Sequence, residues 1–516
     1  MQLKSKLTGI ESGSVLVVML NYLDAAEMGI HSTDRVKVSF NNREAICVVD
    51  ISKTWVGKGS IGLYKEVEEA LSIKTGDPAN VSPAEAPRSL EFITKKMNGA
   101  RLNKQEMFTI VKDTVDRKLS DIELTAFVSS LHFNGLSMDE TVALSASMAE
   151  TGKTLGIKGK MILDKHSLGG VPGDKTTMLV VPIIAAAGYK IPKTSSRAIT
   201  SPAGTADRVE CLCPVTLSVD EILRTVEKTN GCLAWGGAVD LAPADDMFIQ
   251  VEYPLSIDPL LLPSVMSKKK AAGSTHVVID MPTGRGSKLK TIGEAQSLAK
   301  NFIELGKNMG IIVNCVLTFG EQPIGYGVGP ALEAREALST ISNISSSPDL
   351  VEKAVSVAGV LLEMAGEKNG KDLAYKLLKS GSAERKLRQI IGEQGGDSKI
   401  KPSDIEVGSH VAEIKSKTSG TIWWIANHDI VKISREAGTP KDRGAGVLFR
   451  KKIGDTVKNG EVIMEVYAED DRKLHNAIRL AESLNPVGVY AKMKDRMFIE
   501  KVPDGENHKK FFVLER

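Results

Sequence analysis

The sequence is poor in cysteine and in aromatic residues, and it has no long uninterrupted apolar segment. Its five cysteines in 516 residues do not provide a disulfide framework and fit a reducing compartment. The longest apolar run, near 178–188, contains Pro182 and is shorter than the roughly 18 residues that a membrane-spanning helix needs. Residues 1–13 lack the apolar core of a secretory signal. We therefore expect a cytoplasmic protein that does not enter a membrane.

An excess of one charge is also missing. The 67 basic and 64 acidic residues give a formal charge of +3, which excludes bulk attraction to nucleic acid polymers or anionic lipid. The 42% of hydrophobic and 25% of charged residues exclude wholesale disorder. No cluster of Asp and His occurs, and Cys211 and Cys213 lack paired metal-ligand spacing. We expect no metal site.

The first half of the chain changes character at a proline-rich linker. Residues 1–84 alternate short β-branched segments with polar turns, which predicts an N-terminal β-rich domain. Residues 85–158 contain capping-box patterns that start at Asn103, Ser120 and Ser137 and precede apolar residues at helical spacing. This second region is predicted to form a small helical lobe.

The rest of the chain alternates strand-like and helix-like segments. This alternation over residues 159–244 and 273–407 predicts a large, mostly parallel α/β lobe that binds phosphate. Glycines punctuate short strands from residue 408 onward, so 408–516 is predicted to be a C-terminal β-rich subdomain that also contains a helix. The predicted fold class is therefore α/β, with β-rich units at both ends.

A glycine-rich segment at 164–177 has the composition of an anion site. Its glycines allow close approach of a ligand to backbone N–H groups, and a predicted helix begins at its end. Lys165, Ser167 and Thr177 add cationic and hydroxyl donors. The alternative is an ordinary strand-to-helix turn. The segment is not a Walker loop, because the Gly-Lys-Ser/Thr ending is absent.

A second polar block, 194–210, contains six hydroxyl side chains and an arginine within twelve residues. Ser195 and Thr205 offer adaptable donors, and Arg197 could reach a phosphate or a base carbonyl. The alternative is a polar loop that caps a helix beginning near Thr205. In isolation, the block does not decide between the two.

Together the two blocks resemble the pyrimidine-nucleoside and thymidine phosphorylase family. Its signature of Ser-x-Arg, then Gly-Thr-x-Asp-x-hydrophobic-Glu, matches residues 195–197 and 204–210. The block at 164–177 is similar to the family's phosphate loop, with Pro172 as an extra residue, and 264–269 is a third matching block. The similarity extends from about residue 98 to the C-terminus.

Within this family the chain most resembles the archaeal AMP phosphorylase branch. The extra N-terminal unit is one reason, and Val251 is another, since it stands roughly where pyrimidine enzymes have a base-contacting arginine. Residues 196–205, 256–259 and 282–288 are similar to that branch, although the segment between Asp258 and Ser264 is about two residues shorter than expected.

The resemblance implies phosphorolysis of nucleoside 5′-monophosphates. AMP and phosphate would give adenine and ribose 1,5-bisphosphate, with CMP and UMP as further substrates. It implies no cofactor, since inorganic phosphate is a co-substrate, and a homodimer that the N-terminal domain could extend into a larger assembly. It also implies that a return segment near 245–272 joins the helical lobe, which faces the α/β lobe across the substrate cleft.

The resemblance also assigns roles to particular residues. Asp258 would protonate the departing base, a task that needs burial or neighbouring negative charge, although an Asp before a Pro is otherwise a common turn opener. Phosphate would be bound by Lys165, Ser167, Thr177, Ser195 and Thr205. The substrate would be contacted by Gly170, Ser196, Arg197, Ala198, Ile199, Thr200, Ser201, Thr205, Ser264 and Lys288. His166 and Lys268 are possible base contacts.

Two alternatives remain open from the sequence. One is a pyrimidine-nucleoside phosphorylase that acts on thymidine or uridine without a 5′-phosphate. The other is a non-catalytic nucleotide-binding scaffold built on the terminal β-rich units. Phosphate-dependent release of base from AMP, compared with adenosine and uridine, distinguishes all three.

Overall fold

The computed structural model describes residues 1–13, 15–199, 201–345 and 347–490. The predicted substrate contact Thr200 and the final part of the predicted C-terminal subdomain, 491–516, lie outside the described residues. Within the described ranges, no helix is both long and apolar enough to cross a membrane.

The N-terminal region folds as a closed barrel. Its strands are arranged in the order β1-β5-β2-β4-β3-β6, and their inward residues, such as Val36 and Val38, are fully buried. The barrel core consists of residues from this region. Its elements are β1 (Gln2–Leu7), β2 (Val17–Asn21), α1 (Tyr22–Glu27), β3 (Arg35–Phe40), β4 (Arg43–Ser52), β5 (Ser60–Leu63), α2 (Lys65–Leu71) and β6 (Pro78–Pro83).

A helical bundle follows the barrel. The three predicted capping boxes are formed, as at Ser137, whose side chain accepts from the Glu140 N–H while the Glu140 carboxylate accepts from the Ser137 N–H. Each box satisfies donors that would otherwise be free at a helix start. The bundle helices are α3 (Ser89–Met97), α4 (Lys104–Val115), α5 (Asp121–Asn134) and α6 (Met138–Glu150).

The α/β region is built on parallel strands. The first part contains β7 (Leu163–Ser167), α7 (Thr177–Ala186), β8 (Ile191–Ser195), α8 (Thr205–Val209), α9 (Val219–Thr229), β9 (Gly231–Trp235), α10 (Pro243–Leu255), α11 (Leu261–Ala271) and β10 (His276–Thr283). The second part contains α12 (Ile292–Met309), β11 (Ile312–Phe319), β12 (Gly327–Val328), α13 (Pro330–Ile341), α14 (Pro348–Met364), α15 (Gly370–Lys379) and α16 (Ser382–Glu393).

These strands lie in the order β11-β10-β7 and β8-β9, with every pair parallel. The Leu163 N–H donates to the Lys190 carbonyl at 2.9 Å, which connects β7 to the start of β8. Strand β7 runs from Leu163 to Ser167. Lys165, His166 and Ser167 therefore lie on a strand and not in the turn after it.

Helices α10 and α11 pack against the bundle, although they follow strand β9 in the sequence. Phe248 of α10 packs on Phe127 of α5, with ring centroids 5.8 Å apart. Met247, Phe248 and Leu260 are part of the apolar core that the bundle helices share. The α10–α11 segment therefore brings bundle-attached side chains to the carboxyl ends of the parallel strands.

The C-terminal region carries two small antiparallel sheets. One has the order β12-β15-β17-β13, and the other has the order β16-β14-β18. Because β12 pairs with β15, this region is joined to the α/β region by a shared sheet. Its elements are β13 (His410–Lys415), β14 (Gly420–Ile425), α17 (Asn427–Glu436), β15 (Gly446–Phe449), β16 (Thr456–Val457), β17 (Val462–Ala468), α18 (Asp471–Leu484) and β18 (Val487–Tyr490).

Candidate active site

A cavity of about 380 Å³ opens at the carboxyl ends of β7, β8 and β9, against α10 and α11. Parallel strands present their carboxyl ends at one edge of a sheet, so side chains that are distant in sequence converge there. Ten of the site residues predicted within the two polar blocks line this cavity. They are Lys165, His166, Ser167, Thr177, Ser195, Ser196, Arg197, Ala198, Ile199 and Thr205.

Lys165 supplies a buried ammonium group to the cavity wall. Its side chain is 1% exposed, and its Nζ lies 3.4 Å from Thr177 Oγ1 and 3.5 Å from Asp280 Oδ2. Asp280 is itself buried and pairs with Lys353 at 2.9 Å. The ion pair with Asp280 holds the Lys165 ammonium beside the Thr177 hydroxyl, so the two groups lie next to each other in the cavity lining.

Ser167 and Asp174 close the loop between β7 and α7. The Ser167 hydroxyl donates to Asp174 Oδ2 at 3.0 Å, and the Thr176 N–H donates to Asp174 Oδ1 at 3.2 Å. Burial of Asp174 works against its charge, but Lys353 and Lys165 hold the pKa of this carboxyl well below its usual range. Asp174 is therefore a permanent acceptor that fixes the Ser167 side chain.

Lys175 anchors the same loop through buried contacts to the segment 324–336, a role that the sequence analysis missed. Its fully buried Nζ donates to the carbonyls of Ile324 and Gly327 at 2.7 and 3.0 Å and lies 2.8 Å from Glu336 Oε2. All three partners are about 150 residues away in sequence, so no local pattern marks this lysine.

Arg197 is engaged by carboxylates in this structure. Two of its nitrogens donate to the Glu210 carboxylate at 2.8 and 2.7 Å, and a third contact reaches Asp207 at 3.3 Å. The hydrogen bonds to Glu210 raise the pKa of Arg197 further above its already high value. The guanidinium carbon lies 4.9 Å from the centre of the Trp235 ring, so Arg197 forms a rigid part of the cavity wall.

Asp207 shapes the loop that follows β8. Its Oδ2 accepts the N–H groups of Ala198 and Gly204 at 2.7 and 2.8 Å, which folds the two ends of the loop together. A Cβ at Gly204 would lie 2.5 Å from the Arg197 carbonyl carbon, so only glycine fits. Ser201 donates to the Ala203 carbonyl at 3.3 Å and is not among the residues that line the cavity.

A second buried network, formed by Lys269 and Asp164, lies close to His166. Lys269 Nζ is 2.7 Å from Asp164 Oδ2, and both side chains are almost fully buried. Burial and the positive charges of Lys269 and Lys193 hold the pKa of His166 well below its usual value. His166 is therefore a neutral imidazole at physiological pH. The sequence analysis did not single out Lys193 or Lys269, although both line the cavity.

Asp258 and Lys288 lie apart from the residues that line the cavity. Lys288 Nζ donates to Asp258 Oδ2 at 3.2 Å, and the two side chains are 52% and 49% exposed. The burial expected for a proton donor at Asp258 is therefore not present in this conformation. Ser264, in the first turn of α11, is partly buried and also lies outside the cavity lining.

Gly170 connects the cavity loop to Lys288. It has a φ of +90°, and a Cβ at this position would lie 2.7 Å from the Lys288 backbone nitrogen. The two loops are therefore in close backbone contact. This contact places the Lys288 loop directly beside the loop that carries Ser167 and Asp174.

Glu252, in α10, is a buried acid that the sequence analysis missed. Its Oε1 accepts the Leu260 N–H at 3.1 Å, which fixes the far end of the loop that carries Asp258. Burial, together with the charges of Asp258 and Asp245, raises the pKa of Glu252 to about 7. The adjacent Val251 packs against the bundle core and does not line the cavity.

Lys268 lines the cavity from α11, as the buried Lys269 does, and it is the more exposed of the two. Its Nζ lies 2.5 Å from Asp245 Oδ2, a fully buried carboxylate at the start of α10, while the lysine is 35% exposed. Lys268, predicted from the sequence as a base contact, is therefore placed at the cavity.

Metal-ligating groups are not clustered in the described ranges, where no three His, Cys, Asp or Glu side chains converge. All five cysteines are free thiols. Burial raises the pKa of Cys211 and of Cys213 to about 12, so these two thiols are unreactive packing groups.

Family models match three parts of the chain. Residues 90–152 match the helical bundle domain of a glycosyl transferase family, and residues 159–384 match its a/b domain. Residues 422–487 match the pyrimidine nucleoside phosphorylase C-terminal domain. The cavity lies within the second matched segment, and the N-terminal barrel precedes all three.

Curated relatives match nearly the whole chain. An AMP phosphorylase from Thermofilum pendens is 47% identical over 502 residues, which cover 97% of this chain and 98% of the relative. An AMP phosphorylase from Pyrococcus furiosus is 50% identical and covers 94% of this chain and 97% of the relative. The chain belongs to the AMP phosphorylase family. The resemblance inferred from its motifs is thereby confirmed.

Part of the fold of this chain also occurs outside the AMP phosphorylase family. Anthranilate phosphoribosyltransferase from Thermus thermophilus superposes with a TM-score of 0.51 at 18% identity, covering 58% of this chain and 98% of that enzyme. At this identity the likeness concerns the fold alone. This chain therefore shares the fold of that enzyme over 58% of its length.

Proposed function

We propose that the chain catalyses the phosphorolysis of AMP, in which AMP and inorganic phosphate give adenine and ribose 1,5-bisphosphate. The observation that carries this proposal is the near full-length similarity to relatives named AMP phosphorylase. The enzyme is accordingly a pentosyltransferase of the glycosyltransferase class. We propose CMP and UMP as further substrates and the cytoplasm as the location of the enzyme. We also propose that the reaction requires no cofactor.

Inorganic phosphate is proposed to bind at the inner end of the cavity. Lys165, Ser167 and Thr177 come from β7 and the start of α7, and Ser195 and Thr205 come from β8 and the start of α8. One buried ammonium and four hydroxyls are suited to the oxygens of a small oxyanion, with Ser167 turning its single O–H from Asp174 to the bound oxyanion. The ten-residue helix α7 adds the partial positive charge of its N-terminus.

The reaction transfers the ribosyl group from base to phosphate. Breaking the glycosidic bond builds positive charge on C1′, and the adjacent phosphate anion stabilises that charge while it is held in position to attack. The base leaves with the bonding electron pair, so it leaves more readily when an acid protonates it. We assign the donated proton to Asp258.

Asp258 needs a conformational change to perform this role. It lies on the loop between α10 and α11, which is attached to the bundle, whereas the phosphate donors are on the sheet. Closure of the cleft between the bundle and the α/β region would carry Asp258 and Ser264 toward the substrate. Closure would also exclude water, which competes with phosphate as the nucleophile.

The 5′-phosphate requires donors that a nucleoside enzyme does not need. We assign it to the Lys288 ammonium and to the Gly170 loop that packs against the Lys288 backbone. We propose that the nucleotide contacts the described residues of the loop after β8, which are 196–199 and Ser201. We propose that the base contacts Lys268 and His166, whose imidazole is neutral.

One assay tests the function directly. The purified chain is incubated with AMP, adenosine or uridine, with and without phosphate, and free base is quantified. We expect base from AMP only when phosphate is present. Release from uridine or adenosine at the same rate would favour a nucleoside phosphorylase, and no release with any substrate would contradict the enzymatic proposal.

The assembly is proposed to be a homodimer that the N-terminal barrel extends into a larger oligomer. The barrel has its own apolar core, and the ion pair between Arg35 and Glu123 connects it to the bundle. Light scattering of the full chain and of a chain that lacks residues 1–84 tests this proposal. An unchanged number of subunits after the deletion would contradict the role of the barrel.

A further inference from the structure

Asp246 presents a carboxylate to the cavity. It lies in the first turn of α10, lines the cavity and is exposed. Within the described ranges its carboxylate has no hydrogen bond or ion pair, whereas the neighbouring Asp245 is fully buried and takes Lys268 at 2.5 Å. The buried carboxylate thus takes one N–H of the Lys268 ammonium, which leaves the other N–H groups of the lysine and the exposed carboxylate of Asp246 available for a ligand.

The position of Asp246 limits which part of a nucleotide it can face. Carboxylate and phosphate repel each other, so this wall is unsuited to either phosphate group. The preceding residues Trp235, Leu241 and Ala242 also line the cavity. These apolar groups suit the face of a base better than the hydroxyl groups of ribose.

The chemistry of the rim distinguishes between bases. A carboxylate only accepts hydrogen bonds and an ammonium only donates them. Asp246 and Lys268 therefore offer an acceptor beside a donor. Adenine and cytosine carry the complementary pair, an amine that donates and an adjacent ring nitrogen that accepts. Hypoxanthine and uracil carry the reverse pair, a carbonyl and a ring N–H.

We propose that Asp246 is a specificity-determining residue that accepts a hydrogen bond from the exocyclic amine of the base, with Lys268 donating to the ring nitrogen beside it. This inference rests on the proposed function, because it takes the cavity as the nucleotide site. It predicts that the chain prefers AMP to IMP and CMP to UMP, since each pair differs in the group that Asp246 would meet.

The test compares binding within these matched nucleotide pairs. Dissociation constants for AMP, IMP, CMP and UMP are measured by calorimetry without phosphate, for the wild type and for Asp246→Asn. An asparagine both donates and accepts, so it tolerates either base. We expect the AMP-to-IMP and CMP-to-UMP preferences to fall about tenfold or more. Asp220→Asn, an exposed residue in the first turn of α9, is the matched control and should retain both preferences.

Three results would overturn the proposal. Equal weakening of all four nucleotides would assign Asp246 to the ribose or to the structure of the cavity and would overturn it. Unchanged preferences in Asp246→Asn and in a second variant, Asp246→Ser, would also overturn it, as would a wild type without preference for the amine-bearing bases. Because binding is measured without turnover, failure of phosphorolysis in the wild type would be seen separately and would count against the proposed function alone.

Discussion

Lys288 Nζ lies 3.2 Å from Asp258 Oδ2, so the residue assigned to the 5′-phosphate holds the residue assigned to proton transfer. The lysine is on the loop between β10 and α12, and the aspartate is on the bundle-attached loop between α10 and α11. Ion pairs between half-exposed side chains contribute about 0 to 1 kcal/mol. A doubly charged phosphate can therefore replace Asp258 at Lys288, and this exchange would release Asp258 for closure.

The first prediction concerns this lysine. We expect Lys288→Gln to weaken AMP binding about 10- to 100-fold, because a charge-assisted contact to the 5′-phosphate is lost. Adenosine has no 5′-phosphate, so its binding should change little. Calorimetric titration with both ligands measures the difference, and Lys300→Gln on the exposed side of α12 is the control. Equal weakening of AMP and adenosine would contradict the assignment.

The second prediction concerns the contact between the Gly170 and Lys288 loops. Gly169 and Gly170 both have positive φ, but a Cβ at Gly169 meets open space, whereas one at Gly170 lies 2.7 Å from the Lys288 nitrogen. Both alanine variants carry the backbone cost of about 1 kcal/mol. We expect Gly170→Ala to lose kcat/KM for AMP at least tenfold more than Gly169→Ala, because only Gly170→Ala pushes the two loops apart. Steady-state assays compare the two variants, and equal losses would contradict the steric argument.

Local patterns were sufficient to predict several elements of this fold. The capping boxes at Asn103, Ser120 and Ser137 could be predicted because cap and partner are three residues apart. The polar blocks at 164–177 and 194–210 were likewise visible as continuous runs. Both lie at strand ends, and the parallel order of β7 and β8 brings them to one cavity.

Long-range pairs could not be predicted from the sequence. Asp164 and Lys269 are 105 residues apart, and Lys175 reaches its carbonyl partners from about 150 residues away. A lysine run such as 268–270 looks uniform in the sequence, but α11 buries Lys269, places Lys268 at the cavity rim and leaves Lys270 exposed. Helix orientation, which the sequence does not state, separates their roles.

The third prediction follows from the pKa of Glu252. Because burial raises this pKa from 4.5 to about 7, the protonated form is favoured in the folded state. The stabilisation that this protonation of Glu252 gives the folded state is fully present below pH 4.5 and is lost as the pH rises through about 7. We expect Glu252→Gln, which keeps the acceptor for the Leu260 N–H, to be more stable than the wild type above pH 7, by an amount on the order of 3 kcal/mol.

Urea unfolding at several pH values between 4.5 and 8.5 measures this difference. The stability of the Glu252→Gln variant relative to the wild type should increase with pH across this window. Glu91→Gln, at an exposed position in the first turn of α3, should track the wild type throughout. A pH-independent difference for Glu252→Gln would show that the carboxyl does not titrate in this range.

The fourth prediction concerns Lys175, which holds the loop between β7 and α7 through two carbonyls and Glu336. Lys175→Met leaves a buried carboxylate without its counterion, so we expect a loss of about 3 to 5 kcal/mol in the free energy of unfolding. The double variant Lys175→Met with Glu336→Gln should recover part of that loss, since the uncompensated charge is then removed. Lys371→Met is the matched control, because it breaks an exposed ion pair with Glu352 at 3.0 Å and should cost less than about 1 kcal/mol. Urea unfolding of all three variants gives the comparison, and a Lys175→Met chain as stable as Lys371→Met would refute the anchoring role.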